Sequence, residues 1–375
     1  MEIGDMNRLK AFSIPALFIA AGFLLPGPAA GRARSLVDEG KRSLSVFPIL
    51  MYDSNIGIGY GGKARAVDYL GSRESFDLIL FNSSKGERWY VLAFSLPDFE
   101  IRQGKSYALG LDLKAEYDMY LKYAYYGAGS RSTEDDRTSF SMEKSELRVC
   151  LSRGFRDDLV LEFGAALKRV RFSNISSARP FSLDLEAVGS QLLWEYFLAL
   201  RFDTSDSRIH PLRGFRGMLQ ADAAPGRLGN KHADFLRLTL DLRGFRRLWG
   251  ERDVLAGRLL VQNVTGPRIP LYDLSALGGA GEMSVLRGYA LGRFLDRSKL
   301  LINLEYRIPI WKRLGGVLFL DAGTVGPSPA GLDVGALKIG KGGGLRYYLK
   351  NFLVRFDIGF GREGIGIYFN FGHVF

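Results

Sequence analysis

Three groups of residues in this chain have types and spacings that could do chemistry, and the first is rich in glycine. Gly335 to Lys341 reads G-A-L-K-I-G-K and satisfies most of a phosphate-binding loop, but Gly342 stands where a Ser or Thr would contact magnesium. No helix pattern follows, and glycines also relieve crowding where a curved strand passes close to other backbone. The segment therefore predicts a glycine-rich strand, and we expect no nucleotide or other cofactor.

A hydrolase or a transition-metal site would need histidine, cysteine or acidic side chains that lie close together. The chain has three histidines and one cysteine, spread over a turn (His210), a polar loop (His232), the last strand (His373) and the middle of the chain (Cys150). No G-x-S-x-G segment presents a serine nucleophile, and a single cysteine allows no intramolecular disulfide. These patterns predict no catalytic residue, no metal and no enzymatic activity.

The third group lies in the longest interval without a predicted strand, Gly266 to Arg297. Unstructured loops of this length are uncommon in compact domains and are often functional. The interval contains Arg287 followed by Gly288 and Tyr289. We expect Arg287 to be the important arginine of this loop, and Arg293, which lies outside that tripeptide, to matter less.

Two acids further along the chain are candidate partners for Arg287. Glu305 and Asp321 each lie opposite an apolar face of a predicted strand, so both are expected to point inward. A loop arginine between two inward acids can form charge-assisted hydrogen bonds that hold the loop inside a lumen. In the alternative, Arg287 is solvated at a loop tip and the acids pair with Arg307 or Arg346, and spacing alone does not choose between these arrangements.

The elements that must position these groups are strands with a period of two. Leucines at every second position from Leu236 to Leu242 alternate with Arg, Thr and Asp, and Trp194 to Arg201 follows the same pattern. A charge that faces lipid at mid-membrane costs roughly 2–4 kcal/mol, so charges opposite a leucine face belong in a lumen. Sixteen strand candidates run between residues 46 and 375. They include 106–117, 138–152, 158–172 and 365–375.

These strands predict an all-β fold, a transmembrane antiparallel β-barrel of about 16 strands. A soluble sandwich would show the same alternation, with its polar faces in water. The even number of strands, an export signal and an aromatic residue at position 375 favour the barrel. In hydrocarbon a sheet cannot keep an open edge, so this one must close.

The beginning of the chain predicts export. Residues 1–33 have the charged, apolar and small-residue regions of a signal peptide. Residues 34–45 are predicted as a short periplasmic segment, and 46–375 as the outer-membrane barrel. The net charge of +11 and the charged fraction of 24% argue against a helical membrane protein. The Arg and Lys residues are scattered through alternating strands, so we expect contacts with outer-membrane lipid and no nucleic acid.

The last strand ends in aromatic residues that predict an assembly signal. Phe369, Phe371 and Phe375 fall on one face of a regular strand. Outward aromatics at this position would let the strand be recognised at an edge before the barrel closes. We therefore expect all three side chains to face outward and to promote assembly.

Several motifs, taken in order, resemble those of the BamA/TamA-type barrels, the bacterial surface antigen superfamily. The L-R-G-Y of Leu286 to Tyr289 resembles the family's R-G-F/Y loop motif. Tyr125 to Gly129 resembles its early Y-Y-G-x-G loop, and Asp203 to Asp206, followed by Pro211 to Gly214, resembles its mid-barrel turn. Glu305, and Asp321 with the Ala-Gly that follows it, also fit.

The resemblance implies a sixteen-stranded barrel with a long loop folded into the lumen. Arg287 would be the residue that holds the loop, with Asp321 and Glu305 as its strand partners. Members of the family insert outer-membrane proteins or translocate polypeptides, and their substrates are unfolded chains captured by periplasmic POTRA domains. The short segment 34–45 has no room for such a domain, so we expect a separate periplasmic subunit. The alternative is a barrel without POTRA domains that serves as a pore or a structural outer-membrane protein.

Overall fold

The computed structural model describes residues 42–375 apart from 54–55, 103, 177–189, 208–209, 251 and 349–352. In this part of the chain, sixteen antiparallel strands form a closed barrel, which confirms the predicted fold class. Two further strands, β12 and β13, form a small separate sheet. The strands are β1 (Ser43–Asp53), β2 (Gly57–Val67), β3 (Ser75–Ser83), β4 (Arg88–Leu96), β5 (Tyr107–Tyr125), β6 (Thr138–Arg156), β7 (Leu159–Ser176), β8 (Ser190–Asp203), β9 (Gly214–Ala224), β10 (Asp234–Arg247), β11 (Val254–Arg268), β12 (Ser275–Leu277), β13 (Phe294–Asp296), β14 (Ser298–Trp311), β15 (Leu314–Gly326), β16 (Lys338–Tyr348), β17 (Leu353–Phe360) and β18 (Ile365–Phe371).

Helical structure among the described residues is limited to single turns in the connections. None of these helices is long and apolar enough to cross a membrane. The turns are Phe99–Arg102, Glu134–Asp136, Gly226–Leu228, Leu271–Asp273, Pro329–Gly331 and Val334–Ala336.

The period of two along each strand separates the outer surface from the lumen. In β10, Leu238 is 47% exposed on the outside, whereas Thr239 and Asp241 are each 2% exposed on the inside. The apolar faces therefore form the outer wall of the barrel. The charged side chains point into the lumen, where they contact side chains of other strands. This arrangement is the one that avoids placing charge against lipid.

Some predicted boundaries differ from the structure. The candidates 106–117, 138–152 and 158–172 correspond to β5, β6 and β7, which extend further and end at Tyr125, Arg156 and Ser176. In β5 the register shifts between Tyr120 and Tyr123. A bulge of this kind moves the later side chains to the other face, which explains why the alternation that was read from the sequence stops early.

The N-terminal predictions fall mostly outside the described residues. The signal peptide, 1–33, lies there entirely. Of the predicted periplasmic segment 34–45, the described part from Ser43 onward already belongs to β1. The first barrel strand therefore begins three positions before the predicted residue 46.

Residues 269–297, which we call the lumen loop, connect β11 to β14 and pack inside the barrel. β12 and β13 pair with each other and bring the two ends of the loop together. Leu277, Leu286 and Phe294 of the loop are fully buried, and they pack in one cluster with Leu260 and Leu301 of the barrel wall. A loop with its own small sheet and apolar core is an ordered element, and it gives the Arg287 tripeptide a defined position.

Pairing between the first and last strands, which we call the seam, is short. β1 and β18 pair at two positions, Tyr52 with Phe369 and Asp53 with Tyr368. By contrast, β1 pairs with β2 at every position from Ser43 to Asp53. Among the described residues, the barrel is therefore closed by fewer backbone pairs at the seam than between any other neighbouring strands.

Candidate functional site

Arg287 lies in the middle of the barrel, where its guanidinium contacts three carboxylates. Its Nε and Nη2 donate to the two carboxylate oxygens of Asp321 at 2.8 and 2.9 Å. Nη1 donates to Glu305 at 2.9 Å and to Asp357 at 3.1 Å. All four side chains are fully buried, with a relative exposure of 0%. The structure thus brings the three predicted residues together and adds a third acid.

Two further arginines bind the same acids from the barrel wall. The Arg307 Nε donates to Glu305 at 2.9 Å, and the Arg346 Nη1 donates to Asp357 at 2.5 Å. Glu305 therefore pairs with both Arg287 and Arg307, because a carboxylate has two oxygens. The alternative of a solvated Arg287 is wrong, since this side chain is fully buried. We call these residues the Arg287 cluster: Arg287, Glu305, Arg307, Asp321, Arg346 and Asp357.

Glycines in β16 and β17 make room for the backbone of Arg287. A Cβ added to Gly340 would lie 2.0 Å from the Arg287 carbonyl oxygen, and one added to Gly359 would lie 2.8 Å from the Arg287 Cβ. Any larger residue at Gly340 would therefore push the loop away from the wall. This close approach explains Gly340, the second glycine of the segment that resembles a phosphate-binding loop.

Gly288 and Tyr289 attach the loop to the strands beside the seam. Gly288 has a φ of +93°, a conformation that glycine adopts readily, and its N–H donates to the Tyr368 hydroxyl at 3.2 Å. The Tyr289 hydroxyl donates to the Ile339 carbonyl at 3.3 Å and accepts from the Arg362 N–H at 3.3 Å. The whole tripeptide thus contacts β16 and the hairpin formed by β17 and β18.

The chemistry of the Arg287 cluster is electrostatic. Burial lowers the pKa of Arg287 and the carboxylates of Asp321, Glu305 and Asp357 raise it, with a net upward direction, so the guanidinium stays charged. Removing one partner of such a buried pair costs about 3–5 kcal/mol, because the remaining charges lose their compensation. The cluster contains no nucleophile, and its geometry suits the task of fixing a loop.

The model of the Omp85 superfamily domain matches residues 70–375. The chain belongs to the Omp85 superfamily. No curated protein matches it in sequence.

Solved structures show the same fold as this Omp85 barrel. BamA from Haemophilus ducreyi lacking POTRA domains 1–3 has a TM-score of 0.64 at 14% identity, over 95% of this chain and 77% of that chain. CdiB from Acinetobacter baumannii has a TM-score of 0.55 at 12% identity, over 88% and 59%. CdiB from Escherichia coli has a TM-score of 0.61 at 13% identity, over 87% and 62%. The Omp85 barrel described here thus spans about three-fifths of the length of the CdiB chains.

Asp357 is the member of the cluster that the sequence reasoning missed. It lies in β17, where Val354, Phe356 and Ile358 alternate with Arg355 and Asp357. Its inward position could therefore have been read from the same pattern that identified Glu305 and Asp321. What the pattern lacks is the pairing between strands, which places β17 two strands away from β15 across β16.

A second charged cluster holds the beginning of the lumen loop in this Omp85 barrel. The loop residue Asp273 is 2% exposed, and its carboxylate accepts from Arg237 Nη1 at 3.2 Å and lies 3.8 Å from Lys168 Nζ. Both cations also pair with Glu195, at 2.9 and 2.8 Å. We call these four residues the Asp273 cluster. In the Asp273 cluster the loop supplies the anion and the barrel wall supplies the cations. The charges are thus arranged in the opposite way from those of the Arg287 cluster.

The middle of the loop is held by its backbone carbonyls. Lys299 Nζ, on β14, donates to the Met283 carbonyl at 2.6 Å and to the Ala276 carbonyl at 3.4 Å. The Arg258 guanidinium donates to the Glu282 carbonyl. These contacts depend on the loop backbone and not on its side chains, so the loop sequence gave no sign of them.

Arg293 is buried and makes several polar contacts that the sequence did not predict. It is 1% exposed, and it forms a two-point ion pair with Glu363 at 2.6 and 2.9 Å. Its Nη1 and Nη2 donate to the Ser132 hydroxyl and carbonyl, each at 2.9 Å. The guanidinium also lies 4.3 Å from the ring centre of Tyr126, in the Y-Y-G-x-G segment. Arg293 is therefore also firmly held, and the expectation that it matters less than Arg287 stays a prediction.

Phe369 and Phe371 face outward, as the alternation of β18 predicts. Ile365, on their face, is 62% exposed, whereas the inward Tyr368 is 1% exposed. Both phenylalanine side chains are half-buried. Their place on the outer wall is compatible with the predicted assembly signal, whose role stays a prediction.

Phe375 does not follow the predicted face. β18 ends at Phe371, and Gly372 with a φ of +76° turns the chain inward. Phe375 is 4% exposed and packs in one cluster with Val254 and Val285. The prediction of an outward Phe375 is wrong because it assumed a straight strand through Gly372, and glycine is the residue that most readily allows such a turn.

The histidines are less dispersed than the sequence suggested. The rings of His210 and His373 stack with centres 5.8 Å apart, and Tyr348 lies 4.4 Å from His210. Burial and the nearby Arg307 lower the pKa of His210 to about 4, so the ring is neutral at pH 7. Among the described residues of this Omp85 barrel, no group of three or more His, Cys, Asp or Glu side chains could hold a metal ion.

Proposed function

We propose that this chain is an outer-membrane barrel of a Gram-negative bacterium that assembles or translocates polypeptides through its seam. The end of the barrel where β1 begins and β18 stops would face the periplasm, and the lumen loop would enter from the outside. The relatives BamA and CdiB support this class of function by their shared fold. The substrates would be unfolded polypeptides, and the surroundings of the outer wall would be lipid.

The short seam is the observation that carries the proposal. In the described part of the chain, which lacks residues 54–55 after the end of β1, β1 and β18 pair at two positions, whereas the next shortest contact between barrel neighbours, β17 with β18, runs from Val354–Phe371 to Phe360–Ile365. Each backbone hydrogen bond contributes about 0.5–1.5 kcal/mol, so the seam is the place where the barrel opens at least cost. Most of β1 lies outside the pairing with β18.

An edge of this kind can accept an extended polypeptide. Strand addition uses main-chain hydrogen bonds, which any unfolded segment can supply regardless of its sequence. In a membrane, a strand edge must be satisfied by another strand. A seam that opens therefore favours the entry of an incoming strand, and this requirement links the geometry to assembly or translocation.

A disulfide across the seam tests the proposal. Tyr52 and Phe369 are paired positions, and paired residues of antiparallel strands lie within reach of a disulfide. In a Cys150→Ser background, Tyr52→Cys with Phe369→Cys should abolish assembly or translocation when oxidised and restore it when reduced. The control is Leu50→Cys with Tyr60→Cys, an outward pair between β1 and β2, which should leave activity unchanged in both states.

The alternative function is a pore or a structural outer-membrane protein. Full activity with the seam oxidised would contradict the proposal. So would an unchanged outer-membrane proteome in a deletion strain, combined with ion conductance of the purified barrel in a planar bilayer. That second pair of results would instead assign the chain as a pore.

A further inference from the structure

The hairpin formed by β17, residues 361–364 and β18 is held unequally on its two sides. β17 pairs with β16 from Tyr348–Leu353 to Lys341–Phe360. On the other side, β18 meets β1 at two positions. The described strand pairing therefore holds β18 less firmly at β1 than it holds β17 at β16.

Besides the Arg287–Asp357 pair on β17, the lumen loop reaches the turn and β18 of this hairpin at three points. Arg293 forms the two-point ion pair with Glu363, in the turn between β17 and β18. Tyr289 accepts a hydrogen bond from the Arg362 N–H, and Gly288 donates to the Tyr368 hydroxyl on β18. Two of these contacts are single hydrogen bonds between neutral groups, so the ion pair is the strongest of the three.

Arg293 is itself fixed by groups that do not belong to the hairpin. Ser132, in the connection between β5 and β6, accepts two hydrogen bonds from it. Its guanidinium lies against the rings of Tyr126 and Phe294, at 4.3 and 4.6 Å. The arginine therefore joins the turn of the last hairpin to the connection between β5 and β6.

We propose that Arg293 is a positioning residue that holds the last hairpin against β1 and so keeps the seam closed. This inference rests on the proposed passage of polypeptides through the seam, and it identifies a residue that limits how often the seam opens. Arg287 and Arg293 have different tasks. Arg287 binds wall strands and fixes the loop in the lumen. Arg293 links this fixed loop to the turn that contains Glu363.

Breaking the ion pair should loosen the seam without releasing the loop. Glu363→Gln is the preferred change, because the Glu363 side chain is 27% exposed and the substitution keeps its shape. The Arg287 cluster is untouched by it. The seam should then open more often, while residues 269–297 stay protected inside the lumen.

The rate at which the Tyr52→Cys and Phe369→Cys pair forms a disulfide reports on seam closure. In the Cys150→Ser background, Glu363→Gln should slow this rate roughly threefold or more, since an ion pair shielded from water is stronger than an exposed one. Arg293→Lys keeps the charge but loses the two-point geometry. Its rate of disulfide formation should therefore fall between those of the parent and Glu363→Gln. The matched control is Glu134→Gln, whose carboxylate lies 3.6 Å from Arg293 but is 56% exposed, and its rate should equal that of the parent.

Two results would overturn the proposal. One is a disulfide rate for Glu363→Gln equal to that of Glu134→Gln, which would show that the pair does not hold the seam. The other is cleavage of the loop by external protease in Glu363→Gln, which would show that the change acts on the loop itself. The rate of disulfide formation does not depend on any assembly activity. Failure of the proposed function can therefore be distinguished from failure of the proposed role of Arg293.

Discussion

At the scale of single residues, one guanidinium of the lumen loop binds three carboxylates of the barrel wall. Arg287 meets Asp321 through two parallel hydrogen bonds and reaches Glu305 and Asp357 with a third nitrogen. Only a planar guanidinium can serve three carboxylates in this way, because an ammonium has one nitrogen and no fixed geometry. These contacts therefore require the planar shape of the arginine side chain as well as its charge.

Arg287→Ala should release the loop. The change leaves the acids without their shared cation, at a cost of about 3–5 kcal/mol, which water entering the lumen would reduce. The loop should become sensitive to external protease, and Arg287→Lys should restore protection only in part. Arg297→Ala, at an exposed position of the same loop, is the control. Equal cleavage in wild type and both alanine variants would show that Arg287 does not hold the loop.

At the scale of elements, the lumen loop is held by two clusters of opposite polarity. Asp273 near its start binds cations on β7 and β10, and Arg287 binds acids on β14, β15 and β17. No residue is shared between the clusters. Each end of the loop should therefore be released by a different substitution.

Asp273→Asn should release the beginning of the loop alone. Asparagine keeps the size of the side chain but removes the charge, while Glu195 still pairs with Lys168 and Arg237 on the wall. External protease should then cut between residues 269 and 277, as mapped by mass spectrometry. Glu282→Gln is the matched control, because that acid is 64% exposed and an exposed pair contributes about 0–1 kcal/mol. A cleavage pattern identical to that of the wild type would contradict the role of Asp273.

The inward turn at Gly372 changes how Phe375 must be tested. If an aromatic side chain is required as an assembly signal, Phe375→Leu should reduce the yield of heat-modifiable barrel as much as Phe375→Asp does. If burial against Val254 and Val285 is what matters, leucine should be tolerated and aspartate should not, because a buried charge without a partner is costly. Unchanged yield in both variants would exclude either role.

At the scale of the whole molecule, the barrel combines an apolar outer wall with a lumen full of paired charges. Leu236 and Leu240 of β10 are exposed on the outside, and Arg258 and Asp241 are buried together inside. This inversion of an ordinary soluble protein is stable only where lipid surrounds the wall.

We therefore expect the chain to be recovered in the outer membrane after cleavage near residue 33. The folded barrel should migrate faster than the heated one in gels, because closed barrels resist detergent until they are boiled. Fractionation of cells and comparison of heated with unheated samples measure both. Recovery of the chain in the soluble periplasm would contradict the location and the proposed function together.

Local sequence patterns were enough to predict the sixteen strands, most of their inner and outer faces, and the acids opposite the leucine faces. A period of two is a local property, and burial between lipid and lumen imposes it on every strand, so Glu305 and Asp321 could be placed without knowing which strands are neighbours. The loop tripeptide could be recognised for the same reason, since its spacing lies within one short segment.

Which charged side chains contact each other could not be predicted from local patterns. Asp357, Asp273 and Arg293 each find their partners far along the chain, and Glu363, for example, is 70 positions from Arg293. Such pairs depend on the closure of the barrel and on the path of the loop within it, which no local pattern records. The turn at Gly372 is similar: glycine permits many backbone angles, and packing against the lumen selects the one that buries Phe375.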